Sequence, residues 1–290
     1  MFSRMSIFAM FLLLFGSLLC NAQTATCTHW TFFKGFSPSG INDLGIVVGA
    51  AQLSGGKIIG VIRYANGDTK TYTDPNAAPP LDWTLFTRSN LFGATVGWYR
   101  DASQNHHGLL FSGSTAKTVD YPGAYGTILS GINDKGTMVG YWGEDDFSQP
   151  YYGFKMSKNG AVTAINVPGA RQTNPLSITN NGVIAGSYVL KSAEPPVSIH
   201  GFVLSKGVYK MGVDYPHANR TRLNDINAWG VIVGTYHNTS TGTQGGFLYV
   251  HGTFKDVKGP HVQVLTVDGI NDYGYVTGTS SGGSFTAHCE

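Results

Sequence analysis

Six copies of one short motif constrain this 290-residue chain more tightly than any other feature. The motif is Asn-Asp-x-Gly, then apolar residues, then a second glycine four positions after the first. It reads Ile41-Asn42-Asp43-Leu44-Gly45 with Gly49, and Ile132-Asn133-Asp134-Lys135-Gly136 with Gly140. It returns as Ile226-Asn227-Ala228-Trp229-Gly230 with Gly234, and as Ile270-Asn271-Asp272-Tyr273-Gly274 with Gly278. Two copies are degraded, Asn90-Leu91-Phe92-Gly93 with Gly97 and Ile178-Thr179-Asn180-Asn181-Gly182 with Gly186. The first glycines stand at 45, 93, 136, 182, 230 and 274, with spacings of 48, 43, 46, 48 and 44. A period near 45 marks a repeat architecture, in which one unit cannot bury its own apolar faces and must stack on its neighbours.

A second pattern lies between these copies: a small residue, an apolar run, then a glycine turn. Examples are His107-Gly108-Leu109-Leu110-Phe111, Tyr152-Gly153-Phe154, His200-Gly201-Phe202 and Gly245-Gly246-Phe247, with turns at Asn66-Gly67, Asn159-Gly160 and Lys206-Gly207. Asn-Gly between apolar runs is a strong hairpin signal, because both turn residues take positive φ. Each repeat therefore reads as four short strands joined by two tight turns. Four-stranded units of this length, repeated, point to an all-β fold: a six-bladed β-propeller of four-stranded antiparallel blades.

The two ends of the chain complete each other. Gly283–Glu290 matches the strand before the Asn-Gly turn, and Cys27–Phe33 matches the strand after it. One blade is therefore expected to take strands from both ends, in a single domain spanning 23–290. Aligned on Asn159-Gly160, Cys289 falls at Lys158 and Cys27 at Ala161, positions that face each other across a hairpin. An even pair of cysteines in an exported chain reads as a disulfide, here replacing the missing turn.

These motifs resemble the HAF extracellular repeat family, named for a His-Ala-Phe-like start that here reads His107-Gly108-Leu109 and His200-Gly201-Phe202. The resemblance covers almost the whole chain after residue 22. It implies an exported repeat protein and carries over no catalytic residue.

Export is also expected from Met1–Ala22, which has the form of a secretory signal peptide. Arg4 supplies charge, Ile7–Leu19 is apolar, and small residues precede Gln23. That apolar run is too short to span a bilayer, so a secreted, extracellular or periplasmic monomer without membrane insertion is expected. Charged residues make up 12% and net charge is only +2. No cationic field exists to release counterions from a polyanion, so nucleic acid is excluded as a partner.

Recurring residues are read as scaffold, with Asn42, Asp43, Asn133, Asp134, Asn271 and Asp272 capping turns. His107 and His200 share one repeat position and are read the same way, and neither a metal site nor a cofactor is expected. The tight turns fall on one face of the disc and the irregular connections on the other, where function is expected. Candidates there are the acidic run Glu144-Asp145-Asp146, the rings of Trp142 and Tyr151, and Arg171, Arg220 and Arg222. Aromatic faces beside polar tips suit a glycan or a protein partner, and the arginines suit an anionic group. Gly278-Thr279-Ser280-Ser281-Gly282 lacks the strand-to-helix turn of a nucleophile elbow. A non-catalytic binding or structural module is favoured. The alternative is a propeller-fold polysaccharide hydrolase or lyase using the acidic run.

Overall fold

The inner strands of six sheets stand around one axis. They are Ser37–Ile41, Thr84–Ser89, Gly126–Ile132, Ala170–Ile178, Arg220–Ile226 and Val264–Ile270, here the inner strands of blades one to six. Each contacts the next, and the sixth contacts the first, so the ring is closed. The computed structural model describes residues 22–144, 150–192 and 197–290. Every blade is a four-stranded antiparallel sheet. The outer strands are Thr69–Tyr72, Thr115–Thr118, Val162–Ile165, Val208–Met211, Thr253–Asp256 and, for blade six, Cys27–Phe33. Blade five gains a fifth, parallel strand, Gln23–Thr24 against Lys255–Asp256, just before the chain crosses to blade six. No helix among the described residues is long and apolar enough to cross a membrane.

The two motif glycines have different reasons. The first ends the tight turn with positive φ, 71° at Gly45 and 79° at Gly274, where a side chain is strained. The second lies where the inner strand crosses closely, and a Cβ on Gly97 would sit 1.9 Å from the Leu85 carbonyl oxygen.

The third strands fill the space between blades. Phe154, Phe202, Phe247 and Phe285 are fully buried, and Leu109 takes that place in blade two. Burying each such side chain stabilises the fold by roughly 1.5–3 kcal/mol. Blade one has the buried Val61 there, and the Phe86 ring of blade two packs 2.8 Å from where a Cβ on the preceding Gly60 would be.

The expected cysteine pair closes the ring, while a β-bulge between Thr28 and Thr31 shifts the register of the rest of the outer strand. Cys27 pairs with Cys289 between the third and outer strands of blade six. The two form a disulfide with Cα atoms 4.1 Å apart and 262 positions of sequence between them.

The motif asparagines do more than cap. Oδ1 of Asn133 accepts from the backbone N–H groups of Lys135 and Thr137 at 3.1 and 3.0 Å, and Nδ2 donates to the Thr179 carbonyl of the next blade at 3.0 Å. The same link runs Asn42 to Asn90, Asn90 to Asn133, Asn227 to Asn271, and Asn271 back to Asn42. Thr179 caps its own turn through Oγ1 but has no amide to reach Asn227. The ring of side-chain amides therefore has one gap, between blades four and five. Thr179→Asn is expected to close it and to raise unfolding free energy by about 1 kcal/mol, one net buried hydrogen bond. Chemical denaturation checks this, and an unchanged or lower midpoint counts against the link.

Candidate functional site

A β-bulge interrupts every inner strand at the same repeat position. The pairing skips Ser39, Thr87, Ser130, Leu176, Asn224 and Asp268. An extra unpaired residue bends a strand and re-aims its side chain. All six skipped residues line one axial funnel of about 340 Å³ that opens on the face of the long connections. Trp98, Tyr141 and Thr279, from second strands, and Arg222 and Thr266, from inner strands, complete its wall.

The next residue in each inner strand closes the funnel floor. In blade order these are Gly40, Arg88, Gly131, Ser177, Asp225 and Gly269. Arg88 reaches across the axis from blade two. Its guanidinium donates to the carbonyls of Ser39 in blade one, Asn224 in blade five (2.5 Å) and Asp268 in blade six (2.9 Å). Its Nε lies 3.4 Å from Oδ1 of Asp225. Asp225 is buried and also accepts from Ser177 Oγ at 2.5 Å and from the Ile270 N–H at 3.0 Å. The glycines make this layer possible, since a Cβ on Gly40 would meet Arg88 Cδ at 2.8 Å. Arg88 thus separates a blind funnel on one face from a shallow bowl of about 100 Å³ on the other.

No family model and no curated protein matches the chain. Among solved structures it is similar to a gluconolactonase from Xanthomonas campestris, with a TM-score of 0.54 and 9% identity over 95% of this chain and 93% of that one. It is also similar to AofleA from Arthrobotrys oligospora, with a TM-score of 0.52 and 14% identity over 94% and 90% of the two chains. The fold is a six-bladed β-propeller. At these identities the likeness is one of architecture, and the funnel must be read from this chain's own residues.

Asp268 is the carboxylate among the described residues lining the funnel. Its Oδ2 accepts from Thr266 Oγ1 at 2.5 Å, and Thr266 shares a 2.8 Å hydrogen bond with Thr279 Oγ1. Burial pushes the Asp268 carboxyl up to about 6, against the Thr266 hydroxyl and the charges of Arg88 and Arg222. Burial also raises the Tyr141 hydroxyl, with Arg222 pulling the other way. The raised group sets a sign. Folded protein holds the Asp268 proton more tightly than the unfolded chain, so its contribution to stability declines as pH rises from about 4 to about 6 and is flat above. The unfolding free energy of wild type minus that of Asp268→Asn should fall across that interval. Denaturant titrations at pH 4, 5, 6 and 7 check it, and a constant difference refutes it.

Among the described residues, those nominated from sequence do not form one site. Arg222 is exposed at the funnel. Tyr151 and Arg171 share a separate groove between blades three and four, walled by the Val167-Pro168-Gly169 bend. Arg220 donates from Nε to the Val197 carbonyl at 3.3 Å. Trp142 is packing: it stacks on Tyr121 at 4.6 Å and lies 4.9 Å from Tyr152. Glu144 is exposed, and Asp145 and Asp146 lie outside the described residues.

The repeated histidines are clamps. His107 and His200 bond through Nδ1 to Asp120 and Asp214, at 2.8 and 2.7 Å. The second oxygen of each carboxylate accepts from the N–H of Gly108 or Gly201. Sequence reading missed Arg88, Asp225, Asp268 and Asn224. They stand two and three residues before the motif asparagine, where no shared residue type marks the positions.

Proposed function

We propose that this protein is an exported, non-catalytic carbohydrate-binding propeller whose ligand seats in the axial funnel. One observation carries the reading: six bulges aim a mixed polar set into a blind pocket walled by two aromatic rings. Trp98 and Tyr141 present apolar ring surface to C–H faces of a sugar. Asp268, Asn224, Thr266 and Arg222 offer the acceptors and donors that hydroxyl groups need. A volume of about 340 Å³ suits one or two sugar rings. Export is supported by the signal-like leader and the disulfide joining the two ends.

Binding is favoured over glycoside hydrolysis because that chemistry pairs two carboxyl groups across the scissile bond. Among the described residues lining the funnel, Asp268 is the one carboxylate. Titrating mono- and disaccharides, neutral and uronic, against isotope-labelled protein tests the proposal. Shifts should map to Tyr141, Arg222 and Thr279, with affinity falling at least tenfold in Arg222→Ala. Binding that survives Arg222→Ala and Asp268→Asn unchanged, or shifts confined to the rim, overturns it. Turnover of a polysaccharide that Asp268→Asn abolishes would favour the hydrolase or lyase reading.

A further inference from the structure

The opposite face carries a feature that neither the funnel nor the scaffold explains. The variable residue of the motif, between Asp and the first glycine, stands at the tip of each tight turn. In blade order these residues are Leu44, Phe92, Lys135, Asn181, Trp229 and Tyr273. The four apolar ones are 57%, 78%, 74% and 66% exposed for Leu44, Phe92, Trp229 and Tyr273. They are contiguous around the closed ring, on blades five, six, one and two, while Lys135 and Asn181 occupy the remaining arc. Large side chains this exposed, on the tight turns of four successive blades, mark an interaction surface. Trp229 is already held, its indole N–H donating to the Asp272 carbonyl at 2.9 Å, so little freedom is left to lose on binding.

The residue before the tip is acidic in blades one, three and six. Asp43, Asp134 and Asp272 line the bowl together with Asn180. Neighbouring turns are linked through them: Oδ1 of Asp43 accepts from the Asp272 N–H at 2.7 Å, and Oδ1 of Asp272 from the Ala228 N–H at 2.7 Å. The carboxylates crowd one another. Burial and the charges of Asp272 and Asp134 raise the Asp43 carboxyl, against the Asp272 N–H. The guanidinium beneath, from Arg88, is engaged by Asp225 and by three blades.

We propose that this face docks a partner protein through a lysine side chain flanked by apolar residues. The ammonium would enter the bowl among Asp43, Asp134 and Asp272, and the flanking side chains would cover Trp229, Tyr273, Leu44 and Phe92. Three carboxylates lining one bowl favour an ammonium by Coulomb attraction. A second copy is disfavoured, because two such faces would set carboxylates against carboxylates. An anionic lipid surface is disfavoured for the same reason.

The test uses an array of capped heptapeptides with a central lysine between leucine or phenylalanine residues. Each is paired with its Nε-acetyl-lysine counterpart, and anisotropy is read with the full chain. The free-lysine member should bind at least tenfold more tightly, with affinity falling as salt rises. Trp229→Ser with Tyr273→Ser, and separately Asp43→Asn with Asp272→Asn, should each lower it at least tenfold. Thermal melting of each variant confirms that it is folded, and the single variants Tyr273→Ser and Asp43→Asn replace any pair that is not. Equal binding of acetylated and free peptides, binding indifferent to these substitutions, or no peptide binding at all would overturn the proposal. So would partition onto phosphatidylcholine vesicles, lost in Trp229→Ser, without any lysine preference.

Discussion

Removing the Cys27–Cys289 disulfide as Cys27→Ala with Cys289→Ala should lower the unfolding free energy by roughly 5 kcal/mol, an upper figure. The bond closes a loop spanning 262 positions. Loop-closure entropy grows with the logarithm of loop length, so a loop this long lies near the top of the range for one disulfide. The effect acts through the unfolded state, because the released ends are free to separate. Either single alanine variant should cost nearly as much as the pair, since each breaks the same bond. Guanidinium titrations of oxidised wild type, reduced wild type and the double variant measure it. Reduced wild type should match the double variant. A midpoint that does not move would show that outer-strand pairing alone seals blade six.

The second large effect lies on the axis. Asp225→Ala should destabilise by about 3–5 kcal/mol, the usual result of leaving a buried charge without its partner. The abandoned group is the Arg88 guanidinium, which cannot deprotonate. Ser177 and the Ile270 N–H lose an acceptor at the same time. Asp225→Asn keeps an oxygen for those donors and removes only the charge, so it should cost less. Arg88→Met combined with Asp225→Val should recover much of the loss, because well-packed apolar residues often replace a buried ion pair at little cost. If the double variant is worse than the sum of the singles, the pair is not the coupled unit described here. Arg88→Met alone should also open the floor between funnel and bowl, which trapped-water exchange or a crystal structure would show.

Sequence alone exposes what is repeated and local. Six glycines in register announce six turns, because positive φ strains any other residue there. Closure is legible too, since Cys27 and Cys289 flank the place of the missing turn and pair there. The funnel was not legible. A bulge has no composition of its own, and it changes which side chain faces the axis. Ser39, Thr87, Ser130, Leu176, Asn224 and Asp268 share a direction without sharing a chemistry. The acidic run at Glu144 drew attention because it is unusual along the chain, whereas Asp268 matters because of what the ring brings beside it. The repeated asparagines are legible as turn caps, as Asn133 shows, whereas the variable position before the first glycine, Trp229 in blade five, has no repeated chemistry from which to read a role.

A blade made from the first and last strands also fixes an order of events. Cys27–Phe33 is synthesised hundreds of residues before Gly283–Cys289 exists to receive it. Until then its backbone N–H and C=O groups have no ladder, and its thiol has no mate. Non-local pairing of this kind is slow to form. Until the last strand arrives, the chain carries a free sulfhydryl and an unpaired strand that the closed ring hides.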